Sequence, residues 1–193
     1  MISSVLVVGL GNPGSRYRGT RHNMGFEVAE ALARELGVSL ARRHHGLTGG
    51  ASVGEHRVHI LLPQTFMNES GLAVAEFIRY CPVTYPEGLI VIHDELDLEP
   101  GVVRVKLGGG LAGHNGLKSI VHQIGTQNFV RVRIGIGRPV AHASVVDFVL
   151  ARPRPEDRSE LDLAVGRGAS AVRDIIELGP AQVMTVYNQR ARR

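Results

Sequence analysis

Two side chains with the chemistry to deprotonate water, His22 and Asp94, each come after an apolar run of the sequence. His22 stands near the end of GLGNPGSRYRGTRHN, and Asp94 stands in LIVIHDE. A histidine titrates near neutral pH, and a carboxylate bound to one ring nitrogen leaves the other nitrogen to act as a base. The two residues therefore predict a general base that activates water. For His22 alone, a surface or helix-start position is the alternative.

Asparagines come after several of the predicted strands. Asn12 and Asn23 come after the first strand, Asn68 after the hairpin, and Asn115 near the end of the glycine-rich run LGGGLAGHNG. The carboxyl ends of parallel strands share one edge of a sheet, where ligands bind, so we expect four strand ends to converge there. Because a carboxamide both donates and accepts, it matches a peptide-like substrate or a developing oxyanion. For Asn68, a simple helix cap is the alternative.

The first loop spells G-x-G-x-x-G at Gly9, Gly11 and Gly14, which is the dinucleotide-binding spacing. The remaining requirements of that motif are not met. A polar stretch precedes the first helix, and the acids at the expected distance, Glu27 and Glu30, fall inside that helix. The glycines are therefore interpreted as a tight turn over a pocket, and no nucleotide cofactor is predicted.

Nucleophile and metal chemistry have weaker support. The sequence has no G-x-S-x-G elbow, and neither Ser70 nor Ser119 follows a strand and sharp turn, so water is the predicted attacker. The histidines at 44, 45, 56 and 59 match no standard ligand spacing, and His56 and His59 on one strand would face opposite ways. We predict no metal and no cofactor.

Composition limits the class of protein. The chain has 193 residues, a net charge of +4 and a single cysteine, Cys81, so no disulfide framework is required. No stretch approaches the roughly 20 apolar residues of a membrane span, and a cytoplasmic protein is expected. The basic excess favours an anionic partner, although solubility alone is the alternative. Only Lys106 and Lys118 interrupt an otherwise all-arginine set of basic residues.

Alternating strand and helix patterns predict one α/β domain, residues 1–193, in three layers, with a central, mostly parallel but mixed sheet flanked by helices. The basic end of the chain, NQRARR, is either a solvated terminus or an arm for nucleic acid. The predicted elements are strands at 4–10, 88–95, 101–107 and 129–137, a hairpin at 49–62, helices at 24–37, 68–81 and 115–125, a short helical piece after 139, and helices from 155 and from 180.

Five segments in order resemble the bacterial type of peptidyl-tRNA hydrolase: GLGNPGSRYRGTRHNMGF, TFMNESG, HDELDLEPG, KLGGGLAGHNGLKSI and RVRIGIGRP. The likeness spans residues 5–150. It implies cleavage of the ester that joins a peptide to the 3′ end of tRNA, by a cytoplasmic monomer without a cofactor. Some relatives of the family act in RNA splicing, so a non-catalytic RNA-binding module is the rival. A nucleoside or other small-molecule hydrolase is a third alternative.

The resemblance implies roles for residues at the matching positions. His22 would be the general base, Asp94 its partner, and Asn12 the group that favours an acylated amino group. Lys106 and Arg133 would clamp a tRNA phosphate. Tyr17, with Phe66 and Met67 of the TFMN segment, would line the cleft. The full predicted set of substrate-binding and tRNA-binding residues is Tyr17, Asn23, Phe66, Met67, Asn68, Lys106, His114, Asn115 and Arg133.

The sequence departs from the family pattern at three positions. Ala112 stands where relatives usually carry a glycine, so a positive φ there would strain the glycine-rich segment. Leu62 and Phe66 stand where many relatives have lysine and tyrosine. The segment 108–116 is either a mobile lid over the cleft or a packed turn.

Overall fold

The computed structural model describes residues 4–140 and 143–189 and shows a seven-stranded sheet between two layers of helices. The strands are β1 (Ser4–Gly9), β2 (Ala41–Arg43), β3 (Gly46–Val53), β4 (His56–Pro63), β5 (Leu89–Glu95), β6 (Val103–Leu107) and β7 (Val130–Gly135). The helices are α1 (Met24–Glu35), α2 (Ser70–Tyr80), α3 (Asn115–Ile124), α4 (Val145–Leu150), α5 (Pro155–Leu178) and α6 (Pro180–Tyr187).

The strand order is β2-β3-β4-β1-β5-β7-β6. The central strands β4, β1, β5 and β7 are parallel, and the antiparallel strands β2, β3 and β6 lie outside them. This arrangement confirms the predicted mixed sheet. Strand β2 escapes prediction because its three residues, ARR, are all exposed and show no apolar alternation.

Helices cover both faces of the sheet because the central strands are apolar on both sides. In β1, Val5 and Val7 pack with α1, α5 and α6, whereas Leu6 and Val8 pack with α2 and α3. The two cores hold the parallel strands rigidly, so the loops that follow their carboxyl ends have a fixed base. His22 lies on the segment that follows β1, and Asp94 lies near the carboxyl end of β5 itself.

The C-terminal helices follow their predicted signals. Helix α5 begins at Pro155 with two acids in its first turn, and Gly179 separates it from α6. After α6, the carboxamide of Asn188 bonds to both backbone groups of Val105, at 3.0 and 2.7 Å, and so covers the free edge of β6. Residues 190–193 of the basic terminus lie outside the described residues.

The glycine-rich segment takes left-handed backbone conformations. Gly108, Gly109 and Gly113 have φ of 59°, 85° and 77°, and Ala112, between them, has φ of 48°. The condition for strain at Ala112 is therefore met, because a side chain disfavours this conformation by about 1–2 kcal/mol.

We expect Ala112→Gly to raise the free energy of unfolding by roughly 0.5–1 kcal/mol, since relief of the strain outweighs the added entropy of glycine in the unfolded chain. Urea denaturation measures this change in the free energy of unfolding. Ala75→Gly, in the middle of α2, is the control and is expected to lower the same quantity by about 1 kcal/mol. Equal destabilisation by both variants would contradict the account.

Candidate active site

His22 and Asp94 are in contact at the edge where β1 and β5 end. A 3-10 turn (Arg21–Asn23) before α1 carries the histidine, and β5 carries the aspartate. Nδ1 of His22 lies 2.9 Å from each carboxylate oxygen of Asp94. Because a carboxylate only accepts, Nδ1 carries the proton and donates it, and Nε2 of the neutral ring keeps its lone pair. No other group in the described part of the chain bonds to the His22 imidazole.

The carboxylate of Asp94 has a second histidine donor. Nε2 of His114 lies 3.0 Å from Oδ1 of Asp94, and its Nδ1 accepts from the backbone N–H groups of Gly116 and Leu117, at 3.2 and 3.4 Å. His114 is therefore the N-cap of α3. Its tautomer is opposite to that of His22, and the cap occupies its lone pair. Of the two histidines on Asp94, only His22 offers a free basic nitrogen.

Asp94 and His22 also shift each other's pKa. Burial acts to raise the pKa of Asp94, but the charges and hydrogen bonds of His22 and His114 hold that pKa far below its ordinary value of 3.8. Burial acts to lower the pKa of His22, but the charge of Asp94 and the hydrogen bond to it raise that pKa above 6.5. The His22 side chain keeps 13% of its surface exposed against 3% for Asp94, so water reaches the imidazole and not the carboxylate.

His93, the residue before Asp94, is buried beneath this pair. Its ring centre lies 5.0 Å from that of His114, and its Nδ1 lies 2.7 Å from the carbonyl oxygen of Asp94. Burial, and then the charge of His114, lower the pKa of His93 to about 3. His93 is therefore neutral at physiological pH and packs under the site without taking up a proton.

Asn12 and Asn23 are buried and bonded to each other. Asn23 accepts from the backbone N–H of Asn12 and donates to its carbonyl, both at 2.9 Å. Oδ1 of Asn12 accepts from the N–H of Met67 at 2.8 Å, which leaves its NH₂ group as the available donor. Asn23 and Met67 thus position Asn12. Substrate contact by either of them stays a prediction.

Asn68 and Asn115 are exposed and line one groove between the first turns of α2 and α3. The predicted alternative for Asn68, a helix cap, is wrong, because its side chain caps neither the 3-10 turn Met67–Glu69 nor α2. Tyr17 and Phe66 meet edge to face, with ring centres 6.3 Å apart, and Phe66 is 53% exposed. The amides of Asn68 and Asn115 and the ring of Phe66 are thus accessible to a ligand, and their role in binding stays a prediction.

Lys106 is not at this edge, which corrects the expectation that four strand ends converge. Strand β6 is antiparallel to β7, with Lys106 opposite Arg131 and Arg104 opposite Arg133, so β6 ends at the opposite edge. The glycine-rich segment then returns the chain to the site at His114. Lys106 and Arg133 still share one face of the sheet on adjacent strands, as a phosphate clamp requires. Nε of Arg133 bonds to Glu95 at 3.0 Å.

The candidate ligand atoms of His22, Asp94 and His114 all lie within 4.8 Å of one another, and among the described residues no other such group of three occurs. A metal needs lone pairs directed at one point. Both histidine nitrogens that face Asp94 instead carry the protons that they donate to it. The hydrogen bonds therefore fit a proton-transfer site better than a metal site.

Comparison with known proteins places this chain in a family. The family model described as peptidyl-tRNA hydrolase matches residues 6–193. The chain belongs to this family. A peptidyl-tRNA hydrolase of Anaeromyxobacter dehalogenans is 45% identical over 97% of both chains, and one of Methylococcus capsulatus is 46% identical over 93% of this chain and 96% of its own. The crystal structure of the Acinetobacter baumannii peptidyl-tRNA hydrolase superposes with a TM-score of 0.90 at 42% identity, covering 97% of this chain and 96% of that one.

Proposed function

We propose that this chain, like the peptidyl-tRNA hydrolases it resembles, hydrolyses the ester between a peptide and tRNA, with His22 as the general base. The observation that carries the proposal is the free Nε2 of an imidazole whose Nδ1–H is held by Asp94 at 2.9 Å. Nε2 takes a proton from a water molecule, and that water attacks the ester carbonyl carbon. The Asp94 carboxylate stabilises the imidazolium that forms. The bond between the carbonyl carbon and the 3′ oxygen of tRNA then breaks, and that oxygen takes up the proton held by Nε2, which restores the neutral base.

The chemistry of the site favours an ester over an amide. A positioned base contributes about 100- to 10,000-fold, and an amide donor at the oxyanion contributes about 3 kcal/mol more, which suits an activated ester. An amide substrate also needs an acid that protonates the leaving nitrogen. An ester oxygen can leave before it is protonated, so the single proton that His22 takes from water suffices for an ester.

The asparagines would recognise the acyl part of the substrate. Asn12 presents its NH₂ group, since Met67 occupies its oxygen, and this donor suits the carbonyl of an acylated amino group. Asn68 and Asn115 line the adjoining groove and would bind peptide main chain, the attacking water or the terminal adenosine. Because these groups are common to all peptides, broad tolerance of peptide sequence is expected.

Lys106 and Arg133 would bind a tRNA phosphate. We expect Lys106→Ala to weaken tRNA binding and to reduce the slope of log affinity against log salt by about one, because one phosphate contact is lost. Binding titrations over a range of salt concentrations measure the slope. Arg173→Ala on α5 removes the same charge elsewhere and is the control. A slope that Lys106→Ala leaves unchanged would exclude the contact.

We further propose that the protein acts in the cytoplasm as a monomer without metal. None of the described helices is long and apolar enough to cross a membrane.

The rival functions, an RNA-binding module and a nucleoside hydrolase, are separated from the proposed hydrolysis of peptidyl-tRNA by a single assay. Purified protein is incubated with N-acylated and with free aminoacyl-tRNA, with and without a chelator. Release from the acylated substrate alone, unaffected by the chelator, is expected; no release, or loss with the chelator, would overturn the proposal.

A further inference from the structure

Arg131 is a buried arginine that bonds to the glycine-rich segment. Its residue is 2% exposed, and its guanidinium donates to three successive carbonyls, those of Gly108, Gly109 at 2.9 Å and Gly110 at 2.8 Å. The left-handed conformations of Gly108 and Gly109 accompany this arrangement of the carbonyls. The start of the segment is therefore fastened to β7 by one side chain.

The other end of the segment reaches the catalytic pair. Only residues 111–113 separate Gly110, the last residue whose carbonyl bonds to Arg131, from His114. His114 donates to Asp94 at 3.0 Å. A backbone bond from His114 to the carbonyl of Leu111, at 2.9 Å, shortens the connection further. Movement of the carbonyls away from Arg131 would therefore shift the backbone that precedes His114.

The surroundings of Arg131 disfavour a buried positive charge. Nε of Arg131 is buried without a hydrogen-bond partner, and burial and then the charge of Arg133 lower the pKa of its guanidinium. Lys106 lies directly opposite on β6, and a Cβ added to Gly109 would stand 2.9 Å from its Nζ. An apolar side chain would fill this place at lower cost. We therefore infer that the guanidinium is needed for its hydrogen bonds to the three carbonyls of the glycine-rich segment.

We propose that Arg131 is a positioning residue for hydrolysis: it holds the glycine-rich segment so that His114 stays on Asp94, and thereby sets the basicity of His22. The proposal rests on the proposed role of His22 as the base. It involves no contact between Arg131 and the substrate.

The direction of the effect follows from the hydrogen bonds. When the segment loosens, Asp94 loses the donor His114, and its negative charge acts more strongly on the remaining partner, which raises the pKa of His22. Water that enters the loosened site reduces the burial of His22, and this also raises its pKa. Both changes act in one direction, so a larger fraction of His22 is protonated and inactive at neutral pH.

The test compares Arg131→Lys with Arg104→Lys. Arg104 lies on the neighbouring strand and also donates to backbone carbonyls, but to those of Tyr187 and Gln189 at the end of α6. The His22 imidazole is titrated by NMR in the full chain without substrate, and kcat and KM are measured on N-acylated aminoacyl-tRNA. In Arg131→Lys we expect the His22 midpoint to rise by about 0.5 pH unit and kcat at neutral pH to fall about two- to threefold, with KM nearly unchanged. Arg104→Lys should move neither the midpoint nor kcat.

A second pair of variants tests the same inference from the surface, in case the buried substitution prevents folding. Gly109→Ala places a methyl group 2.7 Å from Cε of Lys106 and displaces the segment, whereas Gly54→Ala introduces a similar φ strain in the β3–β4 turn. Only Gly109→Ala should raise the His22 midpoint. An unchanged midpoint in folded Arg131→Lys and Gly109→Ala would overturn the inference. If the wild-type chain hydrolyses nothing, the proposed function fails, and the NMR titration still decides on Arg131.

Discussion

His22→Ala is expected to lower the hydrolysis of N-acylated aminoacyl-tRNA by a factor of about 100 to 10,000, because it removes the proposed general base. Binding of tRNA should change little, since His22 lies in the short turn before α1 and not among the cations of β6 and β7. Single-turnover kinetics measures the chemical step, and binding of a non-hydrolysable analogue measures the affinity.

The matched control for this variant is His56→Ala. His56 begins β4, at the edge of the sheet opposite to the site, so its loss tests the general effect of removing a histidine. The control should keep the wild-type rate. Turnover by His22→Ala at the wild-type rate would remove His22 from the mechanism.

Asp94→Asn is expected to lower turnover by about 100- to 10,000-fold for two reasons. A neutral amide no longer raises the pKa of His22, so the base becomes weaker. An amide also places an NH₂ group where one carboxylate oxygen stands, and both of those oxygens lie 2.9 Å from Nδ1 of His22. That NH₂ group faces the Nδ1–H donor of His22, so the hydrogen bonding that sets the tautomer of His22 is weakened.

Asp94→Asn should remain folded but be less stable than the wild type. The contacts of Asp94 with the histidines outweigh the cost of burying its carboxylate, which is why its pKa lies far below 3.8, and the amide loses part of that stabilisation. Asp97→Asn, which alters an exposed aspartate bound to Arg138, is the control and should retain full activity. A wild-type rate in Asp94→Asn would show that the pair is not coupled.

Much of the site follows from local patterns. The apolar run before Asp94 and the amphipathic helix after His22 predict a buried strand and α1, and the common edge of parallel strands then brings the two residues together. Their contact at 2.9 Å confirms that prediction. The predicted helix positions also agree with the structure to within a few residues, because each has an apolar stripe and an end signal.

The direction of β6 does not follow from its sequence. A strand with alternating apolar residues fits an antiparallel edge as well as a parallel one, and only the pairing of Lys106 with Arg131 decides it. The same limit applies to distant side-chain contacts. Nothing near Arg131 in the sequence indicates that its guanidinium reaches Gly108–Gly110, since the contact depends on how β6 and β7 pair.

One of the two hydrogen-bonding roles of His114 could be predicted from the sequence. A side-chain acceptor directly before the periodic run NGLKSI is the ordinary signal of an N-cap, although histidine is less common there than serine, threonine or aspartate. That signal explains one of its nitrogens. The other nitrogen bonds to Asp94, which lies twenty positions away in the sequence, and only the fold reveals this second bond.

The central claim is that neutral His22, held by Asp94, is the base. The most direct measurement compares the pH dependence of kcat with the NMR titration of the His22 imidazole in the same protein. Because the charge of Asp94 and its hydrogen bond outweigh burial, the pKa of His22 is raised above 6.5, and activity requires the neutral ring. We expect kcat to fall with decreasing pH through the His22 midpoint, and we expect this midpoint to lie above 6.5. A rate that falls at a pH where His22 remains neutral, or persists where His22 is fully protonated, would contradict it.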